Sequence, residues 1–364
     1  MFFLYFGFVT LILALLALDL GVLNRNPHVI GVREALTWSA LWISLGLLFC
    51  VAIYFGYEQQ WLGLGTLPDP ADGTTSDGAR AAIKYLTAYL IEESLSVDNL
   101  FVIAMVFASF GVPGKLQHRV LYWGILGALL MRGTMIGAGT ALIASFHWIL
   151  YVFGGFLLYT AYGMLRYNVQ APEPGHNAVI RLARRLFPVT RYFHGERFFI
   201  RAGQNDSSQI IDSDGNDVLD PAVEHARPGT LMLTPLALAL LMVETCDVVF
   251  AVDSVPAIFS ITADPFLVFT SNVFAILGLR SLFFALAGML NRFHYLEESL
   301  AVVLALIGVK MLAGKWIEVL LGEDYNFWIL AAVLVILLGG VLASLMLGKP
   351  PAPAGSDSDE RDRR

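Results

Sequence analysis

Four stretches of the chain run without a single charge over the length of a helix: Phe2 to Leu18, Ala35 to Tyr57, Trp148 to Leu165 and Tyr325 to Gly348. A helix needs about 20 apolar residues to cross the roughly 30 Å hydrocarbon core of a bilayer, so each predicts a membrane span. Five more segments are long and apolar but carry ionisable residues: 80–108, 119–146, 230–262, 265–290 and 296–322. The pattern predicts an all-α polytopic membrane protein of about nine spans.

Composition agrees with the pattern: 57% of residues are hydrophobic and 15% charged, against the 45–50% and about 25% of soluble chains. A net charge of −7 argues against nucleic acid as a partner. Cys50 and Cys246 lie far apart in apolar runs, which excludes a disulfide scaffold or a CxxC site. With nine spans, seventeen lysines and arginines fall on one set of loops and three (Arg80, Lys84, Lys315) on the other. That bias places the N-terminus outside and the C-terminus in the cytoplasm of an inner (plasma) membrane. The outer loop after the second span is acidic, with Glu58, Asp69, Asp72 and Asp77. No basic residue precedes the first span, so it does not read as a cleaved signal.

The segments divide as an N-terminal two-helix part (1–79), a first repeat (80–165), a cytoplasmic loop (166–229), a second repeat (230–322), a final helix (323–348) and a disordered tail (349–364). The loop opens with a basic run, Arg181, Arg184, Arg185, Arg191 and Arg197, expected to lie against anionic headgroups. Its acidic run Asp212 to Asp217 puts glycine at position four rather than six of an EF-hand, so it reads first as a solvated turn, with a loop calcium site as the alternative.

The repeat rests on charged positions. Val97-Asp98-Asn99 in the third span matches Val252-Asp253-Ser254 in the sixth, and an acid precedes each aspartate by six residues, Glu92 and Asp247. The next span in each copy carries one buried arginine, Arg132 or Arg280. Three spans separate the copies, and an odd number inverts the second, the architecture of many secondary transporters with a midplane site.

Glu92, Glu93, Asp98, Glu244, Asp247, Asp253, Arg132, Arg280 and Lys310 all fall inside spans. Each costs about 2.5–3.5 kcal/mol at the bilayer centre, so together they require partners or an ion. The acids outnumber the bases, which suits a bound cation, unless burial protonates some of the carboxylates. At about 100° per residue Asp247 and Asp253 point about 120° apart, as do Glu92 and Asp98. They could meet at one ion only if the helices break. Pro256 is expected to break the sixth span; Asp98-Asn99 alone would have to break the third. Oxygen ligands suit Mg²⁺, Ca²⁺ or Mn²⁺, and the seven histidines all fall in loops or at span ends. Cys246 is a candidate soft ligand, though a lone buried cysteine is more often an apolar filler. Arg132 and Arg280 either lock carboxylates or compete with the ion, the lock being the favoured reading, and Lys310 is the candidate for a charge that comes and goes.

These residues resemble the TerC family of bacterial membrane proteins, named for tellurium resistance and including Alx-like manganese exporters. The matching stretches are Glu92 to Asn99, Val243 to Ala257, Thr270 to Arg280 and His194 to Phe199. The resemblance implies an inner-membrane protein that exports Mn²⁺, or Ca²⁺ in relatives, through its acidic motifs. Around 204–227 the chain carries an acidic insertion where a shorter connection is expected. The reading is a transporter, not an enzyme, with no resident cofactor: a divalent cation, Mn²⁺ ahead of Ca²⁺, is held by Glu93, Asp98, Asn99, Glu244, Asp247 and Asp253, supported by Glu92, Arg132, Arg280 and Lys310, and exchanged for protons. The cation and the bilayer are its partners. The alternative is a non-transporting membrane scaffold in a tellurite- or metal-stress response complex.

Overall fold

The computed structural model describes residues 2–18, 31–166, 177–203, 210–211, 217–218, 220–286, 294–321 and 325–347. Its first half comprises α1 (Phe2–Leu18), α2 (Val32–Glu58), α3 (Gly78–Phe110), α4 (Gly114–Ser145) and α5 (Ile149–Arg166). The loop region holds α6 (Ala178–Leu186), β1 (Phe199–Arg201), β2 (Ile210–Ile211), β3 (Asp217–Val218), α7 (Pro221–Glu224) and β4 (Leu231–Leu233). The second half is α8 (Pro235–Phe259), α9 (Pro265–Leu286), α10 (His294–Leu321) and α11 (Tyr325–Leu347).

The fold is all-α apart from two small ribbons, β1 with β4 and β2 with β3, both antiparallel. Among the described residues six helices are long and apolar enough to cross a membrane: α2, α4, α5, α8, α9 and α11. Without water, backbone groups must be satisfied within the helix. Hydroxyls inside the long helices follow the same rule: Thr87, Ser94, Thr140 and Thr245 each donate to the carbonyl four residues back. Helix starts are fixed locally. Asp77 accepts from the backbone N–H of Arg80 at the head of α3, and Thr234 followed by Pro235 opens α8. Asp264 followed by Pro265 does the same for α9, accepting from the backbone N–H of Phe266.

Helix α9 packs against α2, α3 and α4, while α8 packs against α3, α4 and α5. Helix α10 lies on α5 and α11. The α5–α10 contact is close because glycines face it: a Cβ on Gly154 would meet Met311 at 2.9 Å, and one on Gly308 would meet Leu158 at 2.9 Å.

The two expected helix breaks are absent. Helix α3 runs unbroken through Asp98-Asn99, and α8 runs through Pro256 and ends at Phe259. A proline in the last turn removes one helical bond where the helix is ending anyway, so it does not split the span. A distortion lies instead in α10, where Ala313 leaves helical geometry (φ −111°, ψ 15°). The acidic run Asp212 to Asp217 lies outside the described residues except for Asp217 in β3, as do the tail from residue 348 onward and part of the insertion.

In the loop region Asp220 is buried and accepts from the backbone N–H groups of Arg191 (2.9 Å), Tyr192 (3.3 Å) and Ala222 (2.9 Å). The Thr234 hydroxyl donates to the Arg197 and Phe198 carbonyls. The stretch His194 to Phe199 therefore anchors the entry to α8.

Candidate functional site

Three helices meet at Arg132, whose side chain is 2% exposed. It comes from α4 and forms an ion pair with Glu92 of α3, itself fully buried. Its other edge grips Asp247 of α8 with a forked contact, Nη2 to Oδ1 at 3.0 Å and Nε to Oδ2 at 3.4 Å. Nη1 lies 3.5 Å from the Ser254 hydroxyl. An isolated guanidinium or carboxylate at this depth is costly, and the pairing removes most of that cost. The group carries two carboxylates to one guanidinium, a formal charge of −1.

Asp247 also lines a cavity of about 30 Å³ together with Asn99, Glu244 and Arg280. One water needs about 10–15 Å³ on this measure, so the space holds a bare ion or a water or two. Gly124, Ile125 and Ala128 of α4 line it as well. Glu244 fits because position 127 is glycine: a Cβ there would fall 2.0 Å from the Glu244 carboxylate oxygen. Two carboxylates, an amide and a guanidinium thus converge on one small space between α3, α4, α8 and α9.

The other sequence-derived candidates face elsewhere. Glu93 turns toward α9 and α2, where its oxygens lie 3.5 and 3.8 Å from a Cβ built on Gly278, beside Trp42. Its Oε2 is buried without a hydrogen bond. Asp253 faces α5 and accepts from the Thr160 hydroxyl at 3.2 Å. Asp98 lies on α3, but its side chain is outside the described set. Among the described residues no three of His, Cys, Asp and Glu converge to hold a metal. Lys310 sits in a different part of the molecule. It donates to the Ser260 carbonyl, stacks over Tyr325 at 5.4 Å and lines a cavity of about 250 Å³ with Asp72 and His147.

That second region contains a cluster the sequence reading missed. Lys84, fully buried, bridges Asp69 (2.8 Å) and Asp72 (2.7 Å). Asp69 also accepts from the Thr262 hydroxyl (2.6 Å) and the Ala263 N–H (2.8 Å). The loop before α3 is thereby fastened to the α8–α9 junction. Beside it Tyr57 donates to Asp264 at 2.8 Å. Burial raises the Asp72 carboxyl, but the Lys84 ammonium and the Thr74 donors outweigh it and hold the group below its ordinary value. At Asp264 burial wins over the Tyr57 and backbone donors and holds the group above its ordinary value. The one signal in the sequence was proximity: the acidic loop with Asp69 and Asp72 lies directly before the helix that carries Lys84, although the chain alone reads that lysine as a helix-edge cation.

The chain is similar in sequence to bacterial membrane proteins. An uncharacterized membrane protein of Myxococcus xanthus is 41% identical over 356 residues, covering 98% of this chain and 95% of that one. Two proteins named putative membrane-bound redox modulator Alx are close as well. The one from Salmonella typhi is 40% identical over 91% of this chain and 92% of its own. That from Escherichia coli K12 is 41% identical over 84% of each. No solved structure matches. With the family model for integral membrane proteins of the TerC type matching residues 77–350, this chain belongs to the TerC family.

Proposed function

We propose that this protein exports a divalent metal cation, Mn²⁺ in the first instance, across the inner membrane in exchange for protons. The observation that carries the reading is the small cavity where Glu244, Asp247 and Asn99 present oxygen ligands while Arg132 grips the same Asp247 from behind. Carboxylate and amide oxygens are the donor set that Mn²⁺, Mg²⁺ and Ca²⁺ prefer. A cation entering the cavity competes with Arg132 for Asp247, and Arg132 is placed to reclaim the carboxylate when the ion leaves. Crowded carboxylates whose proton affinity drops when metal binds supply the coupling to protons.

In this reading the chain has nine spans, with α3–α5 and α8–α10 as inverted repeats, the N-terminus outside, and Asp98 and Asp253 as the repeat-related pair. Rocking of one repeat against the other moves the exposure of the site. The relatives' printed name attaches a redox role, and a transporter that sets the supply of a redox-active ion connects the two.

Reconstitution into liposomes with Mn²⁺ flux as the readout tests this, with Glu244→Gln, Asp247→Asn, Asp98→Asn and Asp253→Asn alongside. Flux in the parent that disappears on neutralising Asp247 or Glu244 is the expected result. Folded parent protein with no flux under a pH gradient of either sign overturns it. A second reading, a membrane scaffold in a metal-stress complex, is favoured by one observation: Arg132, Glu92 and Asp247 already satisfy one another as a structural lock would. Deleting 204–218, which spares the buried Asp220, separates the two, since transport survives that loss and a scaffold surface does not.

A further inference from the structure

Helix α6 is nine residues long and capped by Asn177, which accepts from the N–H groups of Val179 and Ile180. It is more amphipathic than its packing uses. Ile180 and Ala183 are buried, in one cluster with Val120 of α4 and Leu236 of α8. Just past α6, the Pro188 carbonyl accepts from the Leu233 N–H and the Thr190 N–H donates to the Leu233 carbonyl, two residues before α8 begins. α6 therefore lies at the start of α8, a helix long and apolar enough to cross a membrane, at the level where a span meets the headgroups.

At about 100° per residue, Val179, Leu182 and Leu186 share the edge next to that buried face. They are 41%, 55% and 64% exposed. Arg181, Arg184 and Arg185 occupy the remaining arc, exposed and with no ion pair among the described residues. An apolar edge flanked by arginines, uncovered by protein and held at the end of the spans, is the pattern of a helix lying in the interface of an anionic bilayer.

We propose that α6 docks on the bilayer surface, with Val179, Leu182 and Leu186 set into the acyl boundary and Arg181, Arg184 and Arg185 on anionic lipid headgroups. The docking fixes the start of α8 relative to the membrane, because α6 and α8 share a packed face. It does not depend on what the protein transports. Charge complementarity selects lipid over a protein partner: three cations on one turn and a half match a dense field of phosphodiesters. Each basic residue near such a surface favours the docked state about fivefold, so the three together do so about a hundredfold.

The test uses full-length Leu182→Cys labelled with an environment-sensitive fluorophore, in a background where Cys50 and Cys246 are alanine. It is reconstituted in phosphatidylcholine vesicles with and without 30% phosphatidylglycerol. The expected result is blue-shifted emission, quenched by a lipid-borne quencher, only in the anionic vesicles. Addition of Arg181→Gln, Arg184→Gln and Arg185→Gln abolishes the shift, and raising the salt weakens it. Since all three arginines are exposed, the triple variant keeps the parent's melting temperature, which confirms that folding is intact. A water-like spectrum in both lipids overturns the proposal. So does a blue shift that ignores lipid charge and follows protein density in the membrane, which identifies a second copy as the cover.

Discussion

Arg132→Met removes the guanidinium that lies between Glu92 and Asp247 and leaves a shorter apolar chain. Glu92 is fully buried and Asp247 is 15% exposed, so two carboxylates lose their counter-charge where little water can replace it. Breaking a buried pair by removing one partner costs about 3–5 kcal/mol. Protonation sets a ceiling on that loss. Neutralising a carboxyl of ordinary pKa near 4.3 at pH 7 costs about 3.7 kcal/mol, at about 1.4 kcal/mol per pH unit. The deficit of the variant therefore shrinks as pH falls, by about 1.4 kcal/mol per unit for each carboxylate that must take a proton. Glu92→Gln added to Arg132→Met removes one of the stranded charges and recovers part of the loss. Reversible unfolding of purified protein in mixed micelles, at pH 5, 6 and 7, measures the parent and both variants. A variant as stable as the parent, or a deficit that ignores pH and is not relieved by Glu92→Gln, refutes the lock.

Gly127→Ala pushes the Glu244 carboxylate out of its place, but the displaced atoms are the far end of a flexible side chain. It is expected to abolish cation flux while changing stability by less than about 1 kcal/mol, which flux and melting on one preparation decide. Asp69→Ala strips Lys84 of one carboxylate and leaves the Ala263 N–H without its acceptor. The expected cost is on the order of 3 kcal/mol, with faster hydrogen exchange in residues 69–76 as the local signature. Asp264 is raised above its ordinary 3.8, so its contribution to stability is present below that pH and is lost as pH rises through the raised value. Asp264→Asn removes that decline, and the difference between parent and variant in midpoint temperature, followed upward from pH 4, shows it. Asp72 behaves oppositely: held below 3.8, it stabilises the fold above that pH, and Asp72→Asn flattens the loss on acidification.

The positions of the long helices, the polar loop between residues 166 and 229, and the family were legible in the sequence. Uninterrupted apolar runs leave the backbone of a membrane chain little choice but to bond within its own helix. On an unbroken helix the spacing sends Asp247 and Asp253 apart, and because α8 does not break at Pro256 as expected they diverge, one to Arg132 and the other to Thr160. What each faces was not legible, because a helix face known from spacing says nothing of which neighbour covers it.

Only the tertiary structure decided that Arg132 of α4 joins acids from both α3 and α8, that glycine at 127 makes room for Glu244, and that Lys310 belongs to a different cavity from Arg280. Lys84 is the clearest case. Read along the chain it is a helix-edge cation of an outer loop, yet it is wholly buried, because the loop carrying Asp69 and Asp72 folds down onto α8 and α9. Local patterning determines which segments enter the membrane, since that depends on each segment's own transfer from water to lipid. The pairing of charges depends on contacts between helices far apart in the chain, and those are fixed only when the helices pack.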